Sequence, residues 1–328
     1  MPLKQGLGAG EDVEDLRLRG LHAGSEESLA GKPKLFCYER TNNQTGIVVI
    51  ERAPLEDELG DVLEKALRHA DLSQAEVARQ AGLELGRLRD AIDYRYDFTA
   101  EELRRLACVL GLRDEGLTAL ASGRYPLPEI SGLPLCLYPL RMPHGIGVAN
   151  AYIVADCSSQ RGILFDTGYD TEVLRRAWPP RIRTLDAIFI THGETEHTGG
   201  LAGLQADFGR VPVFGPSGAG IDGATSTGEG TTLSFGSLEV SIRDTPGHAE
   251  AHHCYVVRSR EVRSGVPLLI SGDLLFAGSV GGGYYCHRRL DKHLHRLLAE
   301  LPPETVVAPG HGPLTTLANE RAFNPFVR

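Results

Sequence analysis

The chain has 328 residues, 41% of them hydrophobic and 23% charged, with a formal net charge of −9. That length favours two domains with cores of ordinary size, and the acidic balance argues against general affinity for nucleic acid or an anionic membrane surface. The start, Met1-Pro-Leu-Lys-Gln-Gly6, carries no apolar signal region, and no apolar run approaches a membrane span, so a cytoplasmic protein with no membrane partner is expected. Six cysteines (Cys37, Cys108, Cys136, Cys157, Cys254 and Cys286) are scattered without a CxxC pair, mostly inside apolar runs. Buried free thiols in a reducing compartment are therefore expected over disulfides.

Residues 1–32 are rich in Gly, Glu and Asp and read as a loose tail. Residues 33–53 suggest a β-hairpin, with Leu35–Tyr38 and Ile47–Ile50 flanking the Asn-rich turn Thr41–Gly46. From 54 to 125 the pattern is helical. Ser73-Gln-Ala-Glu76 and Thr99-Ala-Glu-Glu102 fit the capping box, in which side chains satisfy the free N–H groups of a helix start. Leu72, Val77, Ala81, Leu83, Leu88 and Ile92 supply a small core, with Gly82 at a turn between two short helices. The run Leu72–Leu83 followed by Leu106–Leu112 resembles the helix-turn-helix domains of Cro and phage repressors. That resemblance implies a groove-reading helix near Glu84–Asp93, with Gln74, Arg87 and Arg89 as candidate DNA contacts. Over residues 55–125, however, ten basic side chains face fifteen acidic ones, a poor composition for neutralising phosphates. Two readings stay open for this module: DNA binding, or a helical domain used for packing or for assembling a homo-oligomer, which is the expected state of the chain.

Residues 126–134 form a Pro-rich linker, since proline lacks the N–H needed to continue a helix. From 135 to 328, short apolar strands alternate with Gly-rich turns and a few helices. The run His192-Gly-Glu-Thr-Glu-His197 stands where the apolar strand Leu185–Thr191 gives way to a helical pattern. Pro246-Gly-His248, Gly272-Asp273 and Pro309-Gly-His-Gly312 each end another apolar run. Imidazoles and carboxylates delivered from several strand ends to one rim are what a dinuclear metal site requires.

Taken with Ala149–Val154, Gly162–Gly168, Ser271–Gly278 and Asn319–Phe326, these motifs resemble the metallo-β-lactamase superfamily, most closely its glyoxalase II-like branch. The resemblance implies an α+β fold, an αββα sandwich preceded by the small all-α module. It places His192, Glu194 and His248 at one metal, Glu196, His197 and His311 at the second, and Asp273 between them, with Asp273 and Glu196 carrying catalysis. Asp166 would orient the site without touching metal. The superfamily's usual run is His-x-His-x-Asp-His. Glu194 departs from it toward the His-x-Glu variant of iron-binding flavodiiron proteins, and Glu196 is longer than the usual aspartate by one methylene. One or two transition-metal ions are implied. The carboxylate-rich donor set favours iron or manganese, with zinc as the alternative. The expected activity on a small-molecule substrate is hydrolysis of an ester or thioester by a metal-bound hydroxide. Two alternatives stand beside it: an iron-dependent oxidoreductase using His192, His248 and Asp273 in the manner of persulfide dioxygenases, and a DNA-binding regulator with a metal-fold sensor.

Other residues read more plainly. His22, His69, His144, His293 and His295 suit surface or packing roles, and Trp178 suits packing at a helix end. One of His252 and His253 is placed to support the site from behind. Gly281-Gly-Gly283 replaces a basic residue that helps glyoxalase II enzymes hold glutathione, leaving Tyr284, Tyr285 and Arg288 as candidate substrate contacts.

Overall fold

The computed structural model describes residues 53–145 and 147–328, together with the backbone of strands β1 (Glu39–Asn42) and β2 (Ile47–Ile50). These two strands pair antiparallel, with Asn42 opposite Ile47. Leu35–Tyr38, Cys37, His22 and the expected tail lie outside the described residues.

Five helices follow: α1 (Leu59–His69), α2 (Gln74–Ala81), α3 (Leu85–Ile92), α4 (Ala100–Leu110) and α5 (Asp114–Ala121). Both expected capping boxes form. The Ser73 hydroxyl accepts from the Glu76 N–H while the Glu76 carboxylate accepts from the Ser73 N–H, and Thr99 and Glu102 repeat the exchange. Gly82 ends α2 in the left-handed conformation, where a side chain would be strained, and this turn is compatible with a helix-turn-helix pair. Val62, Leu63, Val77, Leu88, Leu106 and Leu117 are fully buried at the centre of the module.

Beyond residue 135 the chain builds two six-stranded sheets. One has the order β3 (Cys136–His144), β4 (Gly147–Ala155), β5 (Arg161–Phe165), β6 (Thr184–Phe189), β7 (Val213–Pro216), β8 (Thr225–Thr227). The other contains β9 (Thr232–Phe235), β10 (Leu238–Asp244), β11 (His253–Ser259) and β12 (Leu268–Gly272), continued by β15 (Val306–Pro309) and β16 (Thr315–Thr316). Between β12 and β15 lie the small hairpin β13 (Leu275–Phe276) and β14 (Ser279–Val280) and the long helix α9 (His287–Glu300). Strand periodicity explains the layering. Tyr152 and Val154 of β4 join the core between the sheets with Phe165, Phe189, Ile242, Tyr255 and Ile270, while Ala151 and Ile153 point to the outer face. That outer face is covered by α6 (Thr171–Ala177) and α8 (Leu201–Phe208), and α9 covers the back of the second sheet. The result is an αββα sandwich with the helical module in front.

Two contacts lock the module to the sandwich. The fully buried Glu320 carboxylate, on α10 (Leu317–Phe323), accepts from the Tyr125 hydroxyl at 3.0 Å and the Gly278 N–H at 2.9 Å. Arg113 donates its backbone N–H to the Pro325 carbonyl and its Nε to the Val327 carbonyl. Among the described residues no helix is long and apolar enough to cross a membrane.

The cysteines correct the sequence expectation. Cys136 and Cys157 form a disulfide. The β3–β4 register sets Cys136 opposite Ala155, two residues before Cys157, and brings the two Cα atoms to 5.1 Å, within bridging range. A spacing of 21 residues carries no motif, so the pairing emerges only from the register. Cys108 is exposed and Cys254 buried as free thiols, and burial pushes the Cys254 thiol up to about 12. Peptide mapping of unreduced protein is therefore expected to find Cys136 joined to Cys157. Alkylation of the native protein at about pH 8 should label Cys108 and leave Cys254 untouched. Glu320→Ala should lower stability by roughly 1–3 kcal/mol for each buried donor left unpaired, measured by denaturant unfolding.

Candidate metal centre

The site is assembled at one edge of the sandwich from loops that follow strands. His192 and Glu194 come after β6, Glu196 and His197 lie on the single turn α7 (Thr195–Thr198), and His248 follows β10. Asp273 follows β12 and His311 follows β15. Isolated bridges, His192 with His252 and Ala149 with His311, tie these loops across the two sheets. Asn150 reinforces the last of them, donating its side-chain amide to the carbonyls of Pro309 and Gly312.

Each imidazole is aimed by what its Nδ1 meets. His197 Nδ1 lies 2.9 Å from Asp166 Oδ2, His248 Nδ1 lies 3.0 Å from the Gly282 carbonyl, and His311 Nδ1 lies 3.0 Å from the Val148 carbonyl. The Thr191 hydroxyl donates to Asp166 Oδ2 and meets His192 Nδ1 at 3.0 Å. These acceptors hold a proton on Nδ1 in all four rings, so that Nε2 is the nitrogen each ring turns toward a cation. Asp166 holds the left-handed conformation (φ 58°) and also accepts the Thr191 N–H at 2.7 Å. It organises two of the rings at once, His197 directly and His192 through Thr191.

The inward-facing atoms have no protein partner. His192 Nε2, His197 Nε2, His248 Nε2 and Asp273 Oδ1 are all buried without a hydrogen bond, a costly arrangement unless something fills it. Three donor sets lie within 4.8 Å: His192, Glu194 and His248; Glu196, His197 and His311; and His192, His197 and Asp273. Asp273 lies between the first two, with Oδ1 3.6 Å from His197 Nε2 and Oδ2 3.6 and 3.4 Å from the Nε2 atoms of His248 and His311. Burial alone would push the Asp273 carboxyl up, but charge on His311, His197, His248 and His192 holds it far below the usual carboxylate range. The His192 and His248 rings, with Nε2 atoms 3.8 and 3.2 Å from its carboxylate, likewise hold Glu194 low. Nitrogen and oxygen donors, buried, orphaned and anionic, fit one or two divalent cations.

Supporting groups complete the picture. His252, fully buried, is held well below its usual range by burial, and its Nε2 accepts the Asp273 N–H at 3.1 Å. It is therefore the member of the His252–His253 pair that backs the site, while His253 faces Asp244. A Cβ on Gly310 would overlap the Asp273 carboxylate, and one on Gly281 would overlap the Asp273 carbonyl. The Gly281–Gly283 run thus serves close approach, and its Gly282 carbonyl aims His248.

The remaining candidates are spread more widely. Tyr284, 68% exposed, sets its ring edge-on to His248 at 5.4 Å. The Tyr285 hydroxyl turns to Glu250, and Arg288 pairs with Asp71 of the helical module at 3.2 Å. Gln74 and Arg89 hydrogen-bond each other, and Arg87 donates to Glu102 and lies over the Tyr96 ring. Four residues at the rim escape sequence reasoning. His144 lies 3.9 Å from Glu196, Glu56 lies 3.8 Å from His311 Nδ1, and Lys65 and Arg68 stand close by on α1. Three of these belong to a module that reads as separate, so only its docking brings them near.

The chain belongs to the metallo-beta-lactamase superfamily, whose family model matches residues 144–311. It is 34% identical over 209 residues to an uncharacterized protein of Aquifex aeolicus, covering 56% of this chain and 94% of that one. It is 36% identical over 174 residues to a hydroxyacylglutathione hydrolase of Nitrosomonas eutropha, covering 52% of this chain and 63% of the relative. The chain thus spans less than two thirds of that hydrolase's length. Similar solved structures include the BLEG-1 B3 metallo-beta-lactamase, at 29% identity and TM-score 0.47, covering 57% of this chain and 98% of that one. TTHA1623 in a di-iron-bound form is similar at 29% identity and TM-score 0.47, covering 57% and 99%.

Asp166→Ala should weaken metal binding by about 10–100-fold, because His197 and Thr191 lose their shared anchor. Metal content after dialysis against a chelator of known affinity measures this, and retained tight binding would count against the orienting role.

Proposed function

We propose that this chain is a metal-dependent hydrolase acting on an ester or thioester bond. The observation that carries the reading is the cluster of His192, His197 and His248 Nε2 with Asp273 Oδ1, buried together without hydrogen-bond partners. Bound divalent ions would make a water acidic enough to attack at neutral pH and would polarise the carbonyl under attack. His192, Glu194 and His248 would hold one ion, Glu196, His197 and His311 the other, with Asp273 shared. Asp166 and Thr191 keep two imidazoles turned inward, and the Gly282 and Val148 carbonyls do the same for His248 and His311. Tyr284 stands beside His248, its ring centre 5.4 Å from that of the imidazole. The hydroxyacylglutathione hydrolase relatives support the thioester form of the reading.

Three carboxylates among seven donors favour iron or manganese over zinc. The same donor set favours one second reading, iron-dependent oxidation. Its leaner His192–His248–Asp273 version is disfavoured by Glu194, whose carboxylate lies 3.2 Å from His248 Nε2 and 3.8 Å from His192 Nε2 and so belongs with those two.

Protein loaded with iron, manganese or zinc in turn is expected to hydrolyse acyl thioesters, and to lose that activity on chelation and regain it on reloading. Oxygen uptake with a persulfide and no hydrolysis of any thioester or ester would replace this reading with the second. Glu194→His, which restores the commoner His-x-His run, should shift the metal retained after purification from iron toward zinc, read by elemental analysis.

A further inference from the structure

The first helix of the N-terminal module lies along the rim of the metal centre. Just before α1, the Glu56 carboxylate lies 3.8 Å from His311 Nδ1. Asp57, buried, receives Lys65 and the Ser279 hydroxyl, and Lys65 also donates to the Val280 carbonyl at 2.7 Å, at the start of the glycine run that aims His248. The Lys65 ammonium stands 5.2 Å from the Phe276 ring, which in turn meets the His311 ring at 5.7 Å. One turn further along α1, the Arg68 guanidinium lies 5.7 Å from the centre of the Tyr284 ring, which in turn lies 5.4 Å from the His248 ring. Asp71 then takes Arg288. Positions 65 and 68 fall on one side of α1, while Val62, Leu63 and Ala66 fill the module's own core. A single helix thus spans from the His311 half of the centre to the His248 half.

The two cations on that side differ in availability. Lys65 is almost fully buried and neutralised by Asp57. Arg68 is about half exposed, and its ion-pair partner is Glu64 at 3.5 Å, itself half exposed. Such a solvent-facing pair holds weakly and yields readily to a better-placed anion. A guanidinium presents a planar fork suited to carboxylate or phosphate, and here it stands over an aromatic ring that touches a metal-centre histidine.

We propose that the helical module is the specificity wall of this active site, and that Arg68, backed by Tyr284, recognises an anionic group on the non-reacting part of the substrate. The substrate class is then an acyl thioester or ester that carries a carboxylate or phosphate away from the scissile carbonyl, on the Tyr284 side of the centre. This rests on the hydrolase reading above but has its own test.

The full metal-loaded chain and its Arg68→Gln and Arg68→Lys variants are compared with two thiols, a mercaptoalkanoate and the mercaptoalkanol of equal length, and with their acetyl thioesters. Calorimetry measures thiol binding, and initial rates measure turnover. The native chain should prefer the carboxylate by about tenfold, the equivalent of roughly 1.4 kcal/mol. Arg68→Gln should abolish the ratio through KM rather than kcat, and Arg68→Lys should keep part of it. A ratio unchanged in Arg68→Gln, or no preference in the native chain, overturns the proposal. An Arg68-dependent binding ratio without turnover of either thioester leaves the anion subsite standing and removes the hydrolase reading. Turnover without the ratio does the reverse.

Discussion

The structure depends on the Nδ1 protons of four imidazoles. Asp166, Thr191 and the carbonyls of Gly282 and Val148 each take or share one, so four rings from three separate segments of the chain turn Nε2 toward a common space. Fixing a ring this way costs entropy once, during folding, and the arrangement is then ready for a cation. Without those acceptors the same histidines would sit in either tautomer and at variable angles. Proximity alone would not make a site.

The two sheets set the spacing that makes this convergence feasible. Strands β6, β10, β12 and β15 all end at the same edge, so loops that are distant along the chain arrive within a few ångströms of one another. Close approach then depends on residues without side chains. Gly310 and Gly281 let two segments pass against Asp273, and His252 fixes the Asp273 backbone through a ring kept neutral by burial. Much of what holds the centre therefore lies behind the donors, in groups whose hydrogen bonds are spent on aiming them.

The clustering of these donors was legible in the sequence because histidines and carboxylates recur at the ends of successive apolar runs in a distinctive order. The capping boxes at Ser73 and Thr99 were legible for a local reason, since acceptor and donor lie three residues apart. The disulfide was not, because Cys136 and Cys157 meet only through a strand register. Nor were Glu56, Lys65 and Arg68 at the rim. Their local pattern describes an amphipathic helix, and nothing local says which surface that helix will lie against. His144, expected in a surface or packing role, is part-exposed and packs against Tyr169, and only its approach to Glu196 depends on the opposite loop.

The last few residues act as a strut. The carbonyls of Pro325 and Val327 accept from Arg113, and α5 places Gly116 where any side chain would collide with the Phe323 carbonyl. Phe326 fits between the apolar cluster of the module and that beneath α9. A front bundle clamped from behind in this way cannot swing on its linker as a hinged arm. Heat should dissolve bundle and sandwich together in a single calorimetric transition.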